Sequence, residues 1–313
     1  MPGDNAPSRF YPAAMEKRQL GKTDMHVSVL GFGAAEIGLE GATAQTVETL
    51  LNSALDAGLN VIDTAECYET SEEMIGNTAG HRRSEFYLFT KVGHPRGVGS
   101  EDWSAASILE SIQRSLRRLR TDCVDLVQLH SCSESVLRKG EAIGALQTAK
   151  ERGYTRYLGY SGDSLAAKYA VAADVFDTFQ TSLNLADQEA AELTIPTARA
   201  KGLGIIAKRP IANAAWISGH KPANSYGHVY WDRLRQLNYP FLQTTDAAKG
   251  IAHALRFTLS VAGVHVAIVG TTKPQRWLEN ARMLEAGDLS ETQMREIRER
   301  WDDFAPKTWV GQT

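Results

Sequence analysis

Residues 58–68 read Gly-Leu-Asn-Val-Ile-Asp-Thr-Ala-Glu-Cys-Tyr, and this stretch predicts both a fold and a site. Its β-branched pair, Val61 and Ile62, is typical of a short buried strand. Asp63 then falls at the carboxyl end of that strand, and Tyr68 lies in the loop that follows. The stretch therefore predicts a strand that delivers an acid and a phenol to the same end of a sheet.

Two further strand ends carry ionisable side chains. The aromatic run at 85–93 contains Lys91 near its end, and the apolar run at 124–130 ends in His130. In a parallel α/β barrel the carboxyl ends of the strands meet at one face, where such folds build their sites. We therefore expect these two basic groups to meet the acid and the phenol of residues 58–68.

The rest of the chain alternates short apolar strands with amphipathic helical stretches. Strand candidates lie at 27–33, 61–63, 86–91, 124–130, 157–161, 178–181, 204–208 and 264–270. This alternation favours an α/β fold, a (β/α)8 barrel of the TIM type, over a doubly wound sheet. We expect a single barrel domain over residues 16–313, with a hairpin at 16–29 and a flexible N-terminal arm at 1–15.

The helical stretches give more specific expectations. Thr43 is a candidate N-cap for the first long helix, and Ser71 is a candidate N-cap for the helix after Tyr68. The basic run at 114–120 is interleaved with leucines, which is typical of a solvated helix face rather than a phosphate site.

One interval interrupts the rhythm of strands and helices. Residues 210–244 follow the seventh strand candidate and are rich in aromatic residues and glycine. Loops of that length in compact domains are usually functional or mobile. We expect a long substrate loop here, in which residues 212–243 form a lid and Trp216 and Trp231 contact the substrate.

Composition restricts the class of protein and its partners. A hydrophobic fraction of 43% and a charged fraction of 23% are ordinary for a globular protein. The net charge is −3 without a basic stripe, so nucleic acid is not an expected partner. No run of about 18 apolar residues and no signal-peptide core occur, so no membrane association is expected. Three cysteines without metal or redox spacing indicate a cytoplasmic location, and nothing indicates an oligomeric state.

Other kinds of site find less support. Cys67 has no evident base beside it, so we expect a loop filler rather than a nucleophile. The eight histidines form no HExxH pattern, and no metal site is expected. Residues 31–33 read Gly-Phe-Gly, but the next residues break the dinucleotide fingerprint GxGxxG.

The four polar groups suit one reaction. A phenol with a reference pKa near ~10 protonates an oxygen at neutral pH if a nearby positive charge stabilises the phenolate. Lys91 supplies that charge, and Asp63 neutralises and orients the ammonium, which gives an Asp-Lys-Tyr relay. His130 would then hold the carbonyl oxygen. Since no side chain donates hydride, the set implies a nicotinamide cofactor.

With these motifs the chain resembles the aldo-keto reductase family over roughly residues 16–300. The family's acid-Thr-Ala-x-x-Tyr stands at residues 63–68, its catalytic lysine matches Lys91, and its histidine matches His130. The resemblance implies a barrel that reduces an aldehyde or ketone, or a sugar, to the alcohol with Tyr68 as proton donor. It also implies that Ser161 and Gln180 hold the nicotinamide carboxamide.

The last match concerns the cofactor's phosphate. Residues 270–280 read Gly-Thr-Thr-Lys-Pro-Gln-Arg-Trp-Leu-Glu-Asn and resemble the family's loop and short helix over the adenosine phosphate. A hydroxyl-rich turn that enters a helix N-terminus is an anion site, and an arginine adds a charge-assisted fork. We therefore expect NADP (NADPH). The residues expected to hold its phosphate are Gly270, Thr271, Thr272 and Arg276. The resemblance implies that Glu279 and Asn280 hold its adenine edge.

The chain departs from the family at three places around the cofactor. Gly162 follows Ser161 where the family commonly has asparagine, and Gly270 stands where some members have lysine. Many members stack an aromatic ring on the nicotinamide where this chain reads Lys-Arg-Pro-Ile. The basic pair would instead meet the cofactor's diphosphate or the substrate. The cofactor site is expected to include all four of these residues: Lys208, Arg209, Pro210 and Ile211.

Two other functions stay open. Lys91 at a strand end suits a Schiff-base lyase, although the spacing of Asp63 and Tyr68 argues for the reductase. The altered nicotinamide pocket suits a cofactor-binding regulatory subunit with little turnover, like the family members that accompany ion channels. Because a fold does not specify a substrate, aldehyde, ketone and sugar all stay open.

Overall fold

The computed structural model describes residues 15–97, 99–243 and 246–312. Most of the predicted flexible arm, residues 1–14, lies outside the described residues, as does Thr244 of the predicted insertion. Met15, the last residue of that arm, packs against the hydrophobic core. This end of the arm is therefore held by packing.

A short antiparallel hairpin precedes the barrel, as the sequence predicts. Its strands are β1 (Lys17–Gln19) and β2 (His26–Ser28). Leu20 and Met25, between the two strands, are fully buried in the cluster that fills the barrel interior. Leu20 also packs closely on Gly204, at the start of a barrel strand. The hairpin therefore plugs the amino-terminal end of the barrel.

Eight parallel strands close into a barrel with helices around it. In chain order they are β3 (Leu30–Gly33), β4 (Val61–Asp63), β5 (Tyr87–Val92), β6 (Val124–His130), β7 (Thr155–Ser161), β8 (Thr178–Ser182), β9 (Gly204–Lys208) and β10 (Val264–Gly270). β10 pairs with β3, so the last strand closes the sheet onto the first. The predicted (β/α)8 barrel is thus confirmed.

The first barrel strand is shorter than the predicted 27–33. The chain bends at Val29, so that β2 pairs within the hairpin while β3 pairs with β4 and β10. Asn60 fixes this change of partner. Its side chain accepts a hydrogen bond from Ser28 N at 2.6 Å and donates one to His26 O at 2.8 Å. One apolar run therefore serves two sheets, which periodicity alone does not reveal.

Helices follow most of the strands and bury one face against the barrel. They are α1 (Ala35–Leu39), α2 (Ala44–Asp56), α3 (Ser71–Thr78), α4 (Ala105–Leu119), α5 (Glu134–Lys139), α6 (Glu141–Glu151), α7 (Ser164–Ala172), α8 (Glu189–Leu193), α9 (Ile195–Ala200), α10 (His228–Leu237), α11 (Ala247–Ser260), α12 (Arg276–Met283) and α13 (Glu291–Phe304). Short 3₁₀ helices lie at Gly80–Glu85, Ala212–Ala214, Ser225–Gly227, Pro240–Leu242 and Leu284–Ala286.

The two predicted N-caps have different outcomes. Thr43 caps α2 as expected, because its hydroxyl accepts a hydrogen bond from the Thr46 N–H. The prediction for Ser71 is wrong: it is the first residue of α3, and its hydroxyl donates to the Ala34 carbonyl oxygen and lies 2.8 Å from the Thr64 hydroxyl. Ser71 therefore ties α3 to the ends of two barrel strands instead of capping the helix.

The insertion after β9, the seventh barrel strand, is only partly a loop. Its second half contains α10, which buries Tyr230, Leu234 and Leu237. These side chains share a hydrophobic cluster with Ile297 and Trp301 of α13. Their spacing is that of one helix face, so this half of the insertion belongs to the core. The stretch before α10 lies mainly at the surface.

Two helix glycines lead to opposite predictions for stability. A methyl group at Gly76 of α3 would lie 2.2 Å from the Arg118 carbonyl oxygen, whereas one at Gly144 of α6 would meet nothing within 4 Å. Gly144→Ala should raise the free energy of unfolding by about 0.5–1 kcal/mol, because alanine restricts the unfolded chain. Gly76→Ala should lower it by about 1–3 kcal/mol, because α3 and α4 must separate. Urea denaturation measures both, and similar changes in the two variants would contradict the close approach of α3 and α4.

Candidate active site

A buried ion pair lies at the carboxyl end of the barrel. The Lys91 ammonium on β5 donates hydrogen bonds to an Asp63 carboxylate oxygen on β4 and, at 2.9 Å, to the Thr64 carbonyl oxygen. The two charged side chains are 2% and 1% exposed. Burial by itself lowers the pKa of Lys91, but Asp63 and Tyr68 outweigh it and the net shift is upward. Lys91 is therefore held as an ammonium ion.

Two glutamines hold the other oxygen of Asp63. Its Oδ2 accepts hydrogen bonds from Gln128 Nε2 at 3.1 Å and from Gln180 Nε2 at 2.9 Å. Gln180 Oε1 in turn accepts one from the Ser161 hydroxyl at 3.1 Å. The two residues predicted to hold the carboxamide thus lie beside the ion pair. Gln128 is not predicted from the sequence, although its place two residues before His130 on β6 puts both on one face of the strand.

The Tyr68 phenol completes the group at the mouth of the barrel. Lys91 Nζ lies 5.1 Å from the centre of the Tyr68 ring, and the His130 ring meets that ring edge-on at 5.7 Å. Burial raises the pKa of Tyr68 to about 12, against the opposing charge of Lys91. The phenol therefore keeps its proton at neutral pH. The nearby ammonium would stabilise the phenolate that a proton transfer leaves behind.

At neutral pH, where the phenol is protonated, His130 is a neutral imidazole. Burial lowers its pKa well below the usual 6.5, and the positive charge of Lys91 acts in the same direction. Its Nδ1 lies 3.5 Å from Cys67 Sγ. A neutral ring donates one N–H hydrogen bond but is a poor source of protons, so it suits a hydrogen-bond donor better than an acid.

Cys67 is a packed thiol. It is buried, and burial raises its pKa to about 12, so the thiolate that a nucleophile requires is not formed at neutral pH. Cys123 and Cys132 are also free. Within the described residues, no group of three His, Cys, Asp or Glu side chains is placed to hold a metal ion. No helix in the described part of the chain is long and apolar enough to cross a membrane.

Glu66, a spacer position in the motif that starts at Asp63, anchors the loop after β4. Its Oε1 accepts hydrogen bonds from the backbone N–H groups of Gly93 at 2.7 Å and His94 at 3.0 Å, just beyond β5. Its Oε2 lies 2.7 Å from Arg114 Nη2 on α4. Glu66 therefore joins the loop that carries the phenol to the strand that carries the ammonium.

The prediction that the basic run at 114–120 is a solvated helix face holds for Arg117 and Arg120, which are exposed, but not for Arg114 and Arg118. Arg118, one turn after Arg114, lies 3.4 Å from Glu72 Oε2, and that glutamate is buried at the start of α3. Each arginine is about a quarter exposed, so it covers a buried carboxylate while reaching solvent. The sequence signal is a pair of arginines at helical spacing. The acids that they contact lie elsewhere, Glu66 in the loop after β4 and Glu72 on α3.

The basic pair after β9 lies across the mouth of the barrel. Lys208 Nζ is 2.8 Å from Asp163 Oδ2, in the loop after β7. Arg209 donates hydrogen bonds to the Tyr226 hydroxyl at 2.5 Å and to the Gln312 carbonyl oxygen near the end of the chain. Both predicted basic residues thus lie at the same face as the buried ion pair.

The next two residues, Pro210 and Ile211, pack into the body of the protein. Pro210 is buried, and its carbonyl oxygen accepts a hydrogen bond from the Thr258 hydroxyl at 3.1 Å. Ile211 packs against the hydrophobic core. These contacts fix the position at which the basic pair leaves β9.

The predicted cofactor-phosphate segment forms a turn that enters α12 at Arg276. β10 ends at Gly270, and the turn that follows contains the predicted residues Thr271 and Thr272. Arg276 Nη1 lies 3.1 Å from Glu279 Oε2, and its side chain is 37% exposed.

The donors of this segment fit a dinucleotide. Asn280 is buried, and its Oδ1 has no hydrogen-bond partner among the described residues. A buried amide oxygen without a donor suits the exocyclic amine of an adenine ring. Hydroxyls and an arginine at a helix N-terminus suit a phosphate.

Comparisons with known proteins agree with this geometry. The sequence model of the Aldo/keto reductase family matches residues 29–302. Uncharacterized oxidoreductase YqkF of Bacillus subtilis (strain 168) is 28% identical over 307 residues, which cover 91% of this chain and 96% of that protein. A Schizosaccharomyces pombe protein named as a voltage-gated potassium channel subunit beta is 26% identical over 318 residues, covering 90% of this chain and 91% of its own length.

A solved structure agrees as well. The holo form of aldo-keto reductase AKR11C1 from Bacillus halodurans superimposes with a TM-score of 0.78 at 28% sequence identity, covering 91% of this chain and 96% of that one. The family match spans every barrel strand and all four predicted catalytic residues. The chain therefore belongs to the aldo/keto reductase family of oxidoreductases.

Proposed function

We propose that the chain reduces the carbonyl group of an aldehyde, a ketone or a sugar to the alcohol with NADPH, and that Tyr68 gives the proton. The observation that carries this proposal is the Lys91 ammonium, fixed by Asp63 and 5.1 Å from the centre of the Tyr68 ring. A buried cation beside a protonated phenol is the arrangement that a proton donor to a developing alkoxide needs.

Each residue of the site has a role in this reaction. A bound nicotinamide would supply hydride to the carbonyl carbon. Tyr68 Oη gives its proton to the carbonyl oxygen, and Lys91 stabilises the phenolate that results. His130, as a neutral ring, holds the carbonyl oxygen by a hydrogen bond. Asp63 keeps the ammonium in place, since Gln128 and Gln180 hold the carboxylate in turn.

The proposed cofactor is NADPH because the turn before α12 offers hydroxyls and cations to a 2′-phosphate. NADH offers only a hydroxyl at that position. The supporting residues are Thr271, Thr272, Lys273 and Arg276. Ser161, Gln180, Lys208 and Arg209 would line the nicotinamide and diphosphate end. The cytoplasm is the proposed location, because the three free cysteines suit a reducing compartment.

Two alternatives differ in their support. A Schiff-base lyase needs a neutral lysine, but the Asp63 carboxylate keeps Lys91 charged, so this reading is less favoured. A cofactor-binding regulatory subunit with little turnover is favoured by the likeness to a protein named as a potassium channel subunit. Cofactor binding without measurable carbonyl reduction would support the regulatory subunit.

The first test removes the proton donor. Tyr68→Phe should lower the rate of carbonyl reduction by at least ~10²-fold, because a general acid is lost. NADPH binding, followed by fluorescence on the same samples, should change little. Tyr169→Phe on α7 serves as the control, since it removes a phenol far from β4 and β5. Retention of more than about a tenth of wild-type turnover by the Tyr68 variant would refute its role as acid.

The second test concerns the choice of cofactor. Arg276→Ala should weaken NADPH binding by about tenfold, which is the effect of losing ~1.4 kcal/mol of charge-assisted hydrogen bonding at a partly exposed site. NADH binding should stay within about twofold. Arg295→Ala on α13 is the control for loss of a surface cation. Equal weakening of both cofactors by Arg276→Ala would place the arginine outside the 2′-phosphate site.

The third test concerns the lid. We retain the lid proposal but assign the substrate contact to Tyr226, which is exposed and bonds Arg209 at the mouth. Trp216 and Trp231 instead pack against the hydrophobic clusters. Tyr226→Ala should raise KM for the carbonyl substrate several-fold with little change in NADPH affinity. Trp231→Ala should mainly lower the melting temperature. If Trp231→Ala instead raised KM and Tyr226→Ala mainly lowered the melting temperature, Trp231 would form the substrate wall.

A further inference from the structure

Glu36 lies against the turn to which we assign the cofactor's phosphate. It is on α1, directly after β3, and β3 pairs with β10 so that Gly33 is opposite Gly270. A methyl group built on Gly270 would lie 1.7 Å from Glu36 Oε2 and 2.3 Å from its carboxyl carbon. The carboxylate therefore fills the space that a side chain at position 270 would need, and it contacts the residue from which the turn leaves β10.

This carboxylate differs from the other acids at the barrel mouth. Those acids each pair with a lysine or an arginine: Asp63, Glu66, Glu72 and Asp163. Among residues 15–97, 99–243 and 246–312, no basic side chain forms an ion pair with Glu36. Burial raises its pKa, its own backbone N–H opposes the shift in part, and Glu40, a second acid, adds to it. Glu36 is half-buried, and an acid that is partly removed from water without a cation beside it is a candidate for function.

The position of Glu36 gives a physical reason for the glycine at position 270. A larger residue there would collide with the Glu36 carboxylate. The segment thus carries donors at Thr271 and Arg276, and it has a carboxylate against Gly270. Because the site is partly shielded from water, a like charge there acts strongly on a phosphate.

We propose that Glu36 is an affinity-determining residue that weakens the binding of nicotinamide dinucleotides to this chain through repulsion of their phosphates. The inference rests on the proposed cofactor role of residues 270–280. Its effect grows with the negative charge of the ligand, so it acts more on NADPH than on NADH. Glu36 thereby offsets part of the attraction that Arg276 exerts and reduces the preference for NADPH.

The experiment removes the charge and keeps the shape. NADPH and NADH are titrated by fluorescence against wild type and Glu36→Gln, at low and at high ionic strength. Glu36→Gln should tighten NADPH binding by at least about fivefold and NADH binding by less, since the two ligands differ by one phosphate. The gain should shrink at high salt because it is electrostatic, whereas a gain from altered packing would not depend on salt. Glu36→Ala should act in the same direction if Glu36→Gln does not fold.

Glu40→Gln is the matched control, because Glu40 is exposed at the end of the same helix. It should leave both affinities within about twofold of wild type. Unchanged or weaker NADPH binding in Glu36→Gln would overturn the inference, as would an equal gain in Glu40→Gln. If wild type binds NADPH and Glu36→Gln binds it no better, only this inference fails. If wild type binds neither cofactor, the proposed function fails with it.

Discussion

The buried ion pair between Lys91 and Asp63 is the interaction on which the site depends. Removing one partner of such a pair leaves an uncompensated charge and costs about 3–5 kcal/mol. Here the barrel supplies what both charges need: the Thr64 carbonyl oxygen for the ammonium, and the amides of Gln128 and Gln180 for the carboxylate. These groups come from or directly follow three different strands, β4, β6 and β8, and β5 carries the lysine. Only a closed sheet brings them to one point.

The same burial separates the roles of the titratable groups around the pair. It raises the pKa of Tyr68 to about 12 and lowers the pKa of His130, while the charge of Lys91 opposes the first shift and adds to the second. At neutral pH the phenol is thus the protonated member of the two, and the imidazole is neutral. This separation of the pKa values fits the acid role that we propose for Tyr68 and the hydrogen-bond role that we propose for His130.

The sequence predicts those parts of the molecule that local patterns encode. The barrel strands are short apolar runs, and the four predicted catalytic residues lie on or just after them, so fold and site follow from periodicity and strand ends. The contacts of Glu66 with Arg114 and of Gln128 with Asp63 join residues 48 and 65 positions apart, and no local pattern records them. The insertion shows the same limit, because the residues that cover the apolar face of α10, such as Phe257 and Trp301, lie elsewhere in the chain.

The role of the buried ion pair is tested most directly by carbonyl-dependent NADPH oxidation by wild type and Lys91→Met, with NADPH affinity determined on the same samples. The methionine fills much of the lysine's volume without its charge, so it removes the ion that Asp63 fixes and Tyr68 uses. Wild type should turn over at least one aldehyde, ketone or sugar. Lys91→Met should lose at least ~10²-fold of that turnover, with NADPH affinity changed by less than about threefold. Wild-type turnover in the Lys91→Met protein would contradict the proposed role of the ion pair.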